Sequence, residues 1–148
     1  MSNVIFRGPL YGNGSNPQTV TKIVKNASLP GVMVVINGDD ELEEAAAGGA
    51  GRLFVLSNLA SYQDIRTAYT AGESGVAYRP TPNLEFYCQT VAATYAKGDE
   101  LTVGAGGALT KVVSEGDVIV AYADEAKTTS SSDLFLDVVM ADRTVQGA

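Results

Sequence analysis

The sequence predicts a mainly β domain: a small barrel or sandwich of about eight or nine short strands, with at most one or two short helices and an extended N-terminal arm. Three observations predict it. First, one local unit repeats: a Gly, an acidic residue, then an extended run. Gly72-Glu73 precedes Ser74 to Tyr78, Gly98-Asp99 precedes Glu100 to Val103, and Gly116-Asp117 precedes Val118 to Tyr122. Second, turn residues recur at intervals of about 8–12 residues between short apolar runs. Third, the 148 residues are 45% hydrophobic and 18% charged, which suits one globular core rather than a disordered chain.

Residues 1–18 read as the arm, and residues 19–148 as the single β-rich domain. Gly8, Pro9, Gly12, Gly14 and Pro17 interrupt regular structure in the arm. Its apolar side chains, Val4, Ile5, Phe6, Leu10 and Tyr11, are too many for an inert tail. They either lie on their own domain or cross to a neighbouring subunit or surface.

Val20 to Lys25 alternates weakly and favours extended structure. Leu29-Pro30-Gly31 is a turn into the β-branched run Val32 to Asn37, which Asn37-Gly38 closes as a hairpin signal. Asp39 to Ala47 has the best helix propensity in the chain, with a loop as the alternative, and Gly48 to Gly51 ends it. Arg52 to Ser57 is a buried strand. Tyr62 to Ala71 is a turn of helix or an irregular connection. Gly75 to Arg79 is extended and stops before Pro80 and Pro82. In Leu84 to Val91, alternation puts Leu84, Phe86 and Cys88 on the core face and Glu85, Tyr87 and Gln89 opposite. Strands follow at Leu101 to Val103, Ala108 to Val113, Asp117 to Ala123 and Leu134 to Ala141. In the last, Leu134, Leu136, Val138 and Met140 face inward; Asp133, Phe135, Asp137 and Val139 face outward.

Composition excludes most chemistry. The chain has no His, no Trp and one Cys. Ser-His-Asp and Cys-His catalysis cannot be assembled. Transition-metal sites lose their commonest ligands, and an internal disulfide is impossible. Cys88, on a core face, is expected to pack as a small hydrophobe. The net charge of −7 disfavours nucleic acid and anionic membranes as partners. The residues Met1 to Pro9 carry no apolar leader, so synthesis in a cytoplasm is expected. The acids from Asp39 to Glu44 lack calcium-loop spacing and read as a solvated patch. Gly104-Ala105-Gly106-Gly107 leads into strand residues, so it reads as a hairpin turn rather than a phosphate loop. No enzyme, cofactor or metal is expected.

Several segments, taken in order, carry a resemblance. They are Leu29-Pro30-Gly31-Val32, Leu53 to Leu56, Thr67-Ala68-Tyr69-Thr70-Ala71-Gly72-Glu73 and Val76-Ala77-Tyr78-Arg79-Pro80. Phe86-Tyr87, Lys97-Gly98-Asp99-Glu100-Leu101, Gly106-Gly107-Ala108-Leu109 and Ala121-Tyr122-Ala123-Asp124-Glu125 follow. This order is similar to that of the head-decoration, or capsid cement, proteins of tailed bacteriophages, over about four-fifths of the chain. The arm lies outside it. The resemblance implies a mainly β structural protein on the outer capsid surface of a virion, assembled in a bacterial cytoplasm. It implies the major capsid protein and the chain itself as partners, in a homo-oligomer with a trimer favoured over a dimer. It implies reinforcement of the mature shell and no catalysis.

Two other readings stay open. A small-molecule or carbohydrate-binding β-barrel would gather the seven Tyr, at 11, 62, 69, 78, 87, 95 and 122, into one pocket. A tail or baseplate component would share the virion setting.

Overall fold

The computed structural model describes residues 5–9, 18–58, 64–112 and 114–145. Among them, thirteen strands form three antiparallel sheets. Numbered along the chain, the largest sheet runs β1 (Phe6–Pro9), β7 (Leu84–Gln89), β13 (Phe135–Val145), β11 (Val118–Ala123), β9 (Glu100–Val103), β10 (Leu109–Lys111). The second runs β2 (Thr19–Ile23), β6 (Ser74–Tyr78), β5 (Leu53–Leu56), β3 (Met33–Ile36), β4 (Leu42–Glu44). A two-stranded ribbon pairs β8 (Thr94–Tyr95) with β12 (Lys127–Thr128). The fold is mainly β and its sheets are unclosed, an arrangement consistent with a sandwich.

Two cores explain the residues of the second sheet. Strand β5 is buried along its whole length, but its side chains divide by period 2. Leu53 and Val55 join the main core with Phe86, Leu101, Val120 and Leu136 of the large sheet. Phe54 and Leu56 enter a smaller core with Val24, Val34, Leu42, Tyr69 and Ala77. Strand β3 divides likewise, with Met33 in the first core and Val34 in the second. A strand covered on both faces needs an unbroken apolar run, which is why Leu53-Phe54-Val55-Leu56 does not alternate with polar residues.

The helix expected over Asp39 to Ala47 is absent; its centre is β4. Asn37 overrides propensity: its Oδ1 accepts the N–H groups of Asp39 and Glu41, each at 2.9 Å. Asp40 takes a positive φ of 64°. The chain then turns back, and Ile36 pairs with Leu42 while Val34 pairs with Glu44. Leu42 is buried in the smaller core, which a solvated helix would forgo. Two of the acids form ion pairs, Asp40 with Lys22 (2.7 Å) and Glu43 with Lys25 (3.0 Å).

Two glycines join the sheets. The Gly31 N–H donates to Leu56 O (2.7 Å), and the Gln89 N–H donates to Gly31 O (2.9 Å), so one residue bridges β5 and β7. At the turn between β9 and β10, Gly107 lies on the backbone of β3 with φ 78°. A Cβ there would overlap Met33 O, the same carbonyl that accepts the Ala45 N–H at 2.9 Å. The Gly-rich segment is thus a hairpin turn, and a short 3-10 turn spans Ala105–Gly107.

Residues 5–9 form part of the large sheet. Strand β1 pairs with β7, and the Tyr87 N–H donates to Ile5 O at 2.8 Å. Ile5 is 1% exposed in the main core. Phe6 is half-buried against Phe86 and Tyr78, with ring centroids 5.5 and 5.6 Å away. Of the five residues expected to contact a partner, Ile5 and Phe6 therefore pack on their own domain. Val4, Leu10 and Tyr11 lie outside the described residues. A bulge between Phe6 and Gly8, and Pro9 with no N–H to offer, blunt this sheet edge against strand addition.

Candidate functional site

Among the described residues, the buried Tyr side chains divide between the two cores. Tyr69 plugs the smaller core and donates its hydroxyl to Ser57 O at 2.6 Å. Tyr95 donates to Val91 O at 2.5 Å. Tyr78 stacks obliquely between the sheets, and Tyr87 lies on the opposite face of β7 from Phe86. Two of these hydroxyls, on Tyr69 in the smaller core and Tyr95 in the main core, are thus committed to backbone carbonyls. Tyr11 and Tyr62 are outside the described residues.

Cys88 is fully buried in the main core. Burial, with the negative charge of Asp137 adding to it, pushes its thiol far above the ordinary range. A thiol held protonated is neither nucleophile nor metal ligand. Among the described residues, no three His, Cys, Asp or Glu side chains are placed to hold a metal ion.

The most organised polar surface lies on the face of β7 and β13 away from Phe86 and Leu136. The register sets Asp137 opposite Tyr87 and Phe135 opposite Gln89, so Tyr87 and Phe135 meet diagonally. Their rings stack at 4.8 Å with a 16° interplanar angle. Three cations cover them. The Arg7 guanidinium lies 5.3 Å from the Tyr87 ring, Lys127 Nζ 5.6 Å from it, and the Arg66 guanidinium 5.6 Å from the Phe135 ring. Each cation also has a carboxylate: Asp137 at 3.2 Å from Arg7, Asp133 at 3.0 Å from Lys127, Asp64 at 3.4 Å from Arg66. Alternation places Tyr87 and Phe135 outward, yet both are buried, at 8% and 2% exposure. The cations contribute, since their stems and heads shield aromatic faces from water, and so does the Gly31 turn, where an added Cβ would lie 2.8 Å from Phe135 Cε1.

Beside this row, acids crowd. Burial first, then a hydrogen bond with Asp124 and the charges of Asp124 and Asp137, hold the Glu85 carboxyl above its ordinary range. Burial also raises Asp137, although Arg7 pulls it back. The Asp137 N–H donates to Glu125 Oε2 at 2.8 Å. A carboxyl whose pKa is higher folded than unfolded favours the fold while protonated. That contribution is present below the unfolded value and lost as pH rises through the folded one. Glu85→Gln is therefore expected to raise the thermal midpoint at neutral pH, with the gain shrinking as pH falls through the carboxylate range. Melting curves between about pH 7 and about pH 4 check this; a gain unchanged by acid would count against the linkage.

An open cavity of about 210 Å³ adjoins the row. Leu29, Arg66, Gln89, Ser131, Asp133 and Phe135 are among its walls. Arg66 Nη2 is buried with no hydrogen-bond acceptor among the described residues. Burial would raise the Asp133 carboxyl, but hydrogen bonds from Lys127 and the Phe135 N–H, with the charge of Lys127, hold it below its ordinary range. Sequence reasoning did not single out Arg7, Arg66 or Lys127. They come from β1, an irregular connection and a two-residue strand, and no spacing within the chain links them.

No family model matches the chain, and no curated protein matches it. Among solved structures, it is similar to the crystal structure of the head fiber gp8.5 N base in bacteriophage phi29. The likeness covers 87% of this chain and 98% of that one, with a TM-score of 0.60 and 15% sequence identity. At that identity it is a likeness of fold: this chain has an architecture shared with the base of a bacteriophage head fiber.

Proposed function

We propose that the chain is a structural virion protein that binds the exterior of a tailed-phage capsid and reinforces the mature shell. The likeness in fold to a head fiber base, spanning nearly all of that chain, carries this reading. The ordered resemblance to capsid cement proteins agrees with it. The major capsid protein and further copies of the chain are its partners. Among the described residues, Ile23 and Val91 are the exposed large hydrophobics. Attachment through that surface then rests on polar contacts and on many weak sites acting together. The fiber likeness favours a second, neighbouring reading, in which the domain is a mount for an appendage rather than cement.

Sedimentation of the full chain with expanded and unexpanded heads of its own phage tests the proposal. Saturable binding to expanded heads at fixed stoichiometry is expected. Binding to neither overturns it. Heating the decorated heads separates the two readings: cement that occupies every junction raises the temperature of shell disruption strongly because it binds the intact state, whereas a mount at few sites raises it far less.

A further inference from the structure

The Asn37-Gly38 pair that opens the turn between β3 and β4 places a side-chain amide beside an unhindered backbone nitrogen. Attack of that nitrogen on the amide carbon closes a five-membered ring, an intramolecular step favoured by proximity. Gly38 is exposed, and a Cβ built there meets nothing within 4 Å. Among the described residues its N–H has no acceptor. Neither packing nor pairing therefore protects the nucleophile.

The electrophile is held instead. Asn37 Oδ1 accepts the Asp39 and Glu41 N–H groups at 2.9 Å each, and Nδ2 donates to Glu41 Oε1 at 3.4 Å. The Asn37 N–H donates to Glu41 O at 2.9 Å, and Asn37 O accepts the Asp40 N–H at 3.1 Å. The amide is thus turned to the far side of the turn, and bringing Cγ onto Gly38 N requires it to let go. Release is a local event. Strand β4 has three residues and stands last in its sheet. Opening it withdraws Leu42 from the smaller core and breaks the bond from the Lys25 N–H to Leu42 O (2.9 Å), so the open state is infrequent without being global unfolding.

We propose that Asn37 is a self-modification site gated by the β3–β4 hairpin: its amide is lost to attack by Gly38 while the hairpin is open, and the product does not let the hairpin close as before. The Gly38 amide gives its proton to solvent, and its nitrogen attacks Asn37 Cγ. The bond from Gly38 N to Cγ forms, the Cγ–Nδ2 bond breaks, and ammonia leaves with a proton taken from solvent. Water then opens the cyclic imide. Cleavage at Cγ leaves an aspartate at position 37. Cleavage at the main-chain carbonyl leaves an isoaspartate, whose backbone runs on through Cβ and Cγ. Either route consumes one water and releases one ammonia. The isoaspartate lengthens the chain by a methylene just after Ile36, which pairs with Leu42, so the turn bonds at position 37 no longer fit that register. The plain aspartate keeps the Oδ1 acceptor but sets a like charge against Glu41 where a donor stood. None of this depends on the capsid reading.

The test incubates the full chain at mildly alkaline pH, native and in guanidinium chloride, and follows Asn37 by peptide mapping with mass spectrometry. Native Asn37 should react about tenfold or more slowly than the denatured chain, because only the open fraction reacts. Leu42→Val, which loosens the hairpin away from the reacting atoms, should raise the native rate and leave the denatured rate unchanged. Should that variant not fold, Lys25→Gln, which removes only the ion pair with Glu43, takes its place. Gly38→Ala, at an open position outside the left-handed region, should suppress the reaction in both states. The isoaspartate form, separated by anion exchange, should melt below Asn37→Asp, which has the charge without the longer chain. No modification of native Asn37, a native rate equal to the denatured one or indifferent to the loosened hairpin, a reaction that survives Gly38→Ala, or an isoaspartate form as stable as Asn37→Asp would overturn the proposal.

Discussion

Gly107→Ala is expected to destabilise the protein by about 3–5 kcal/mol, combining backbone strain with overpacking against a fixed neighbour. The positive φ of 78° already disfavours any side chain. The larger part comes from position. The new methyl falls on Met33 O, in the middle of the sandwich, and that carbonyl belongs to a strand packed on both faces. A flexible side chain could swing away; a strand backbone cannot. Moving it would also weaken the hydrogen bond from the Ala45 N–H. Gly98→Ala is the control. Its φ of 93° is comparably strained, but a Cβ there meets nothing within 4 Å. It should cost only about 1–2 kcal/mol. Urea unfolding of both variants separates strain from collision. Equal losses would mean the turn between β9 and β10 does not press on β3.

Phe86→Ala should cost about 3–5 kcal/mol, the range for removing a buried aromatic ring. Phe86 is fully buried at the meeting of three strands. Its ring lies 5.5 Å from Phe6 on β1 and 5.8 Å from Tyr78 on β6, which belongs to the other sheet. The cavity would open under the N-terminal strand and between the two sheets together, so neighbours cannot collapse into it without breaking pairing. Phe6→Ala, half-buried, should cost clearly less under the same urea titration. A smaller loss for Phe86 than for Phe6 would show that β1, not β7, organises this corner.

Much of the fold was legible because it rests on local periodicity. The run from Leu53 to Leu56, the inward face of Leu84, Phe86 and Cys88, the hairpin at Asn37-Gly38 and the Gly-rich turn before Leu109 all appear where pattern puts them. The failures have physical causes. The acidic stretch looked helical because propensity counts only neighbours, whereas the Asn37 side chain and the pairing with β3 decide its shape. Strands β8 and β12 are two residues each, too short to carry a period. Tyr87 and Phe135 alternate outward yet are buried, since the cations and the Gly31 turn that cover them come from remote parts of the chain. The candidate site was therefore invisible in the sequence: its cations and their aromatic support meet only through the tertiary arrangement.

The sharing of β3 and β5 between two cores bears on how this chain can change over evolutionary time. In a sheet with one wet face, an inserted residue exchanges apolar for polar side chains, and a bulge can absorb the error at the surface. Here there is no wet face to absorb it. One extra residue in β5 would send Leu53 and Val55 into the space shaped for Phe54 and Leu56, and the reverse, so both interiors misfit at once. Neither lobe can drift in length independently of the other, nor melt alone while its neighbour stays intact. Length variation among descendants of this chain is thereby confined to the connections, while the two central strands remain fixed in number of residues even as the side chains on them are exchanged.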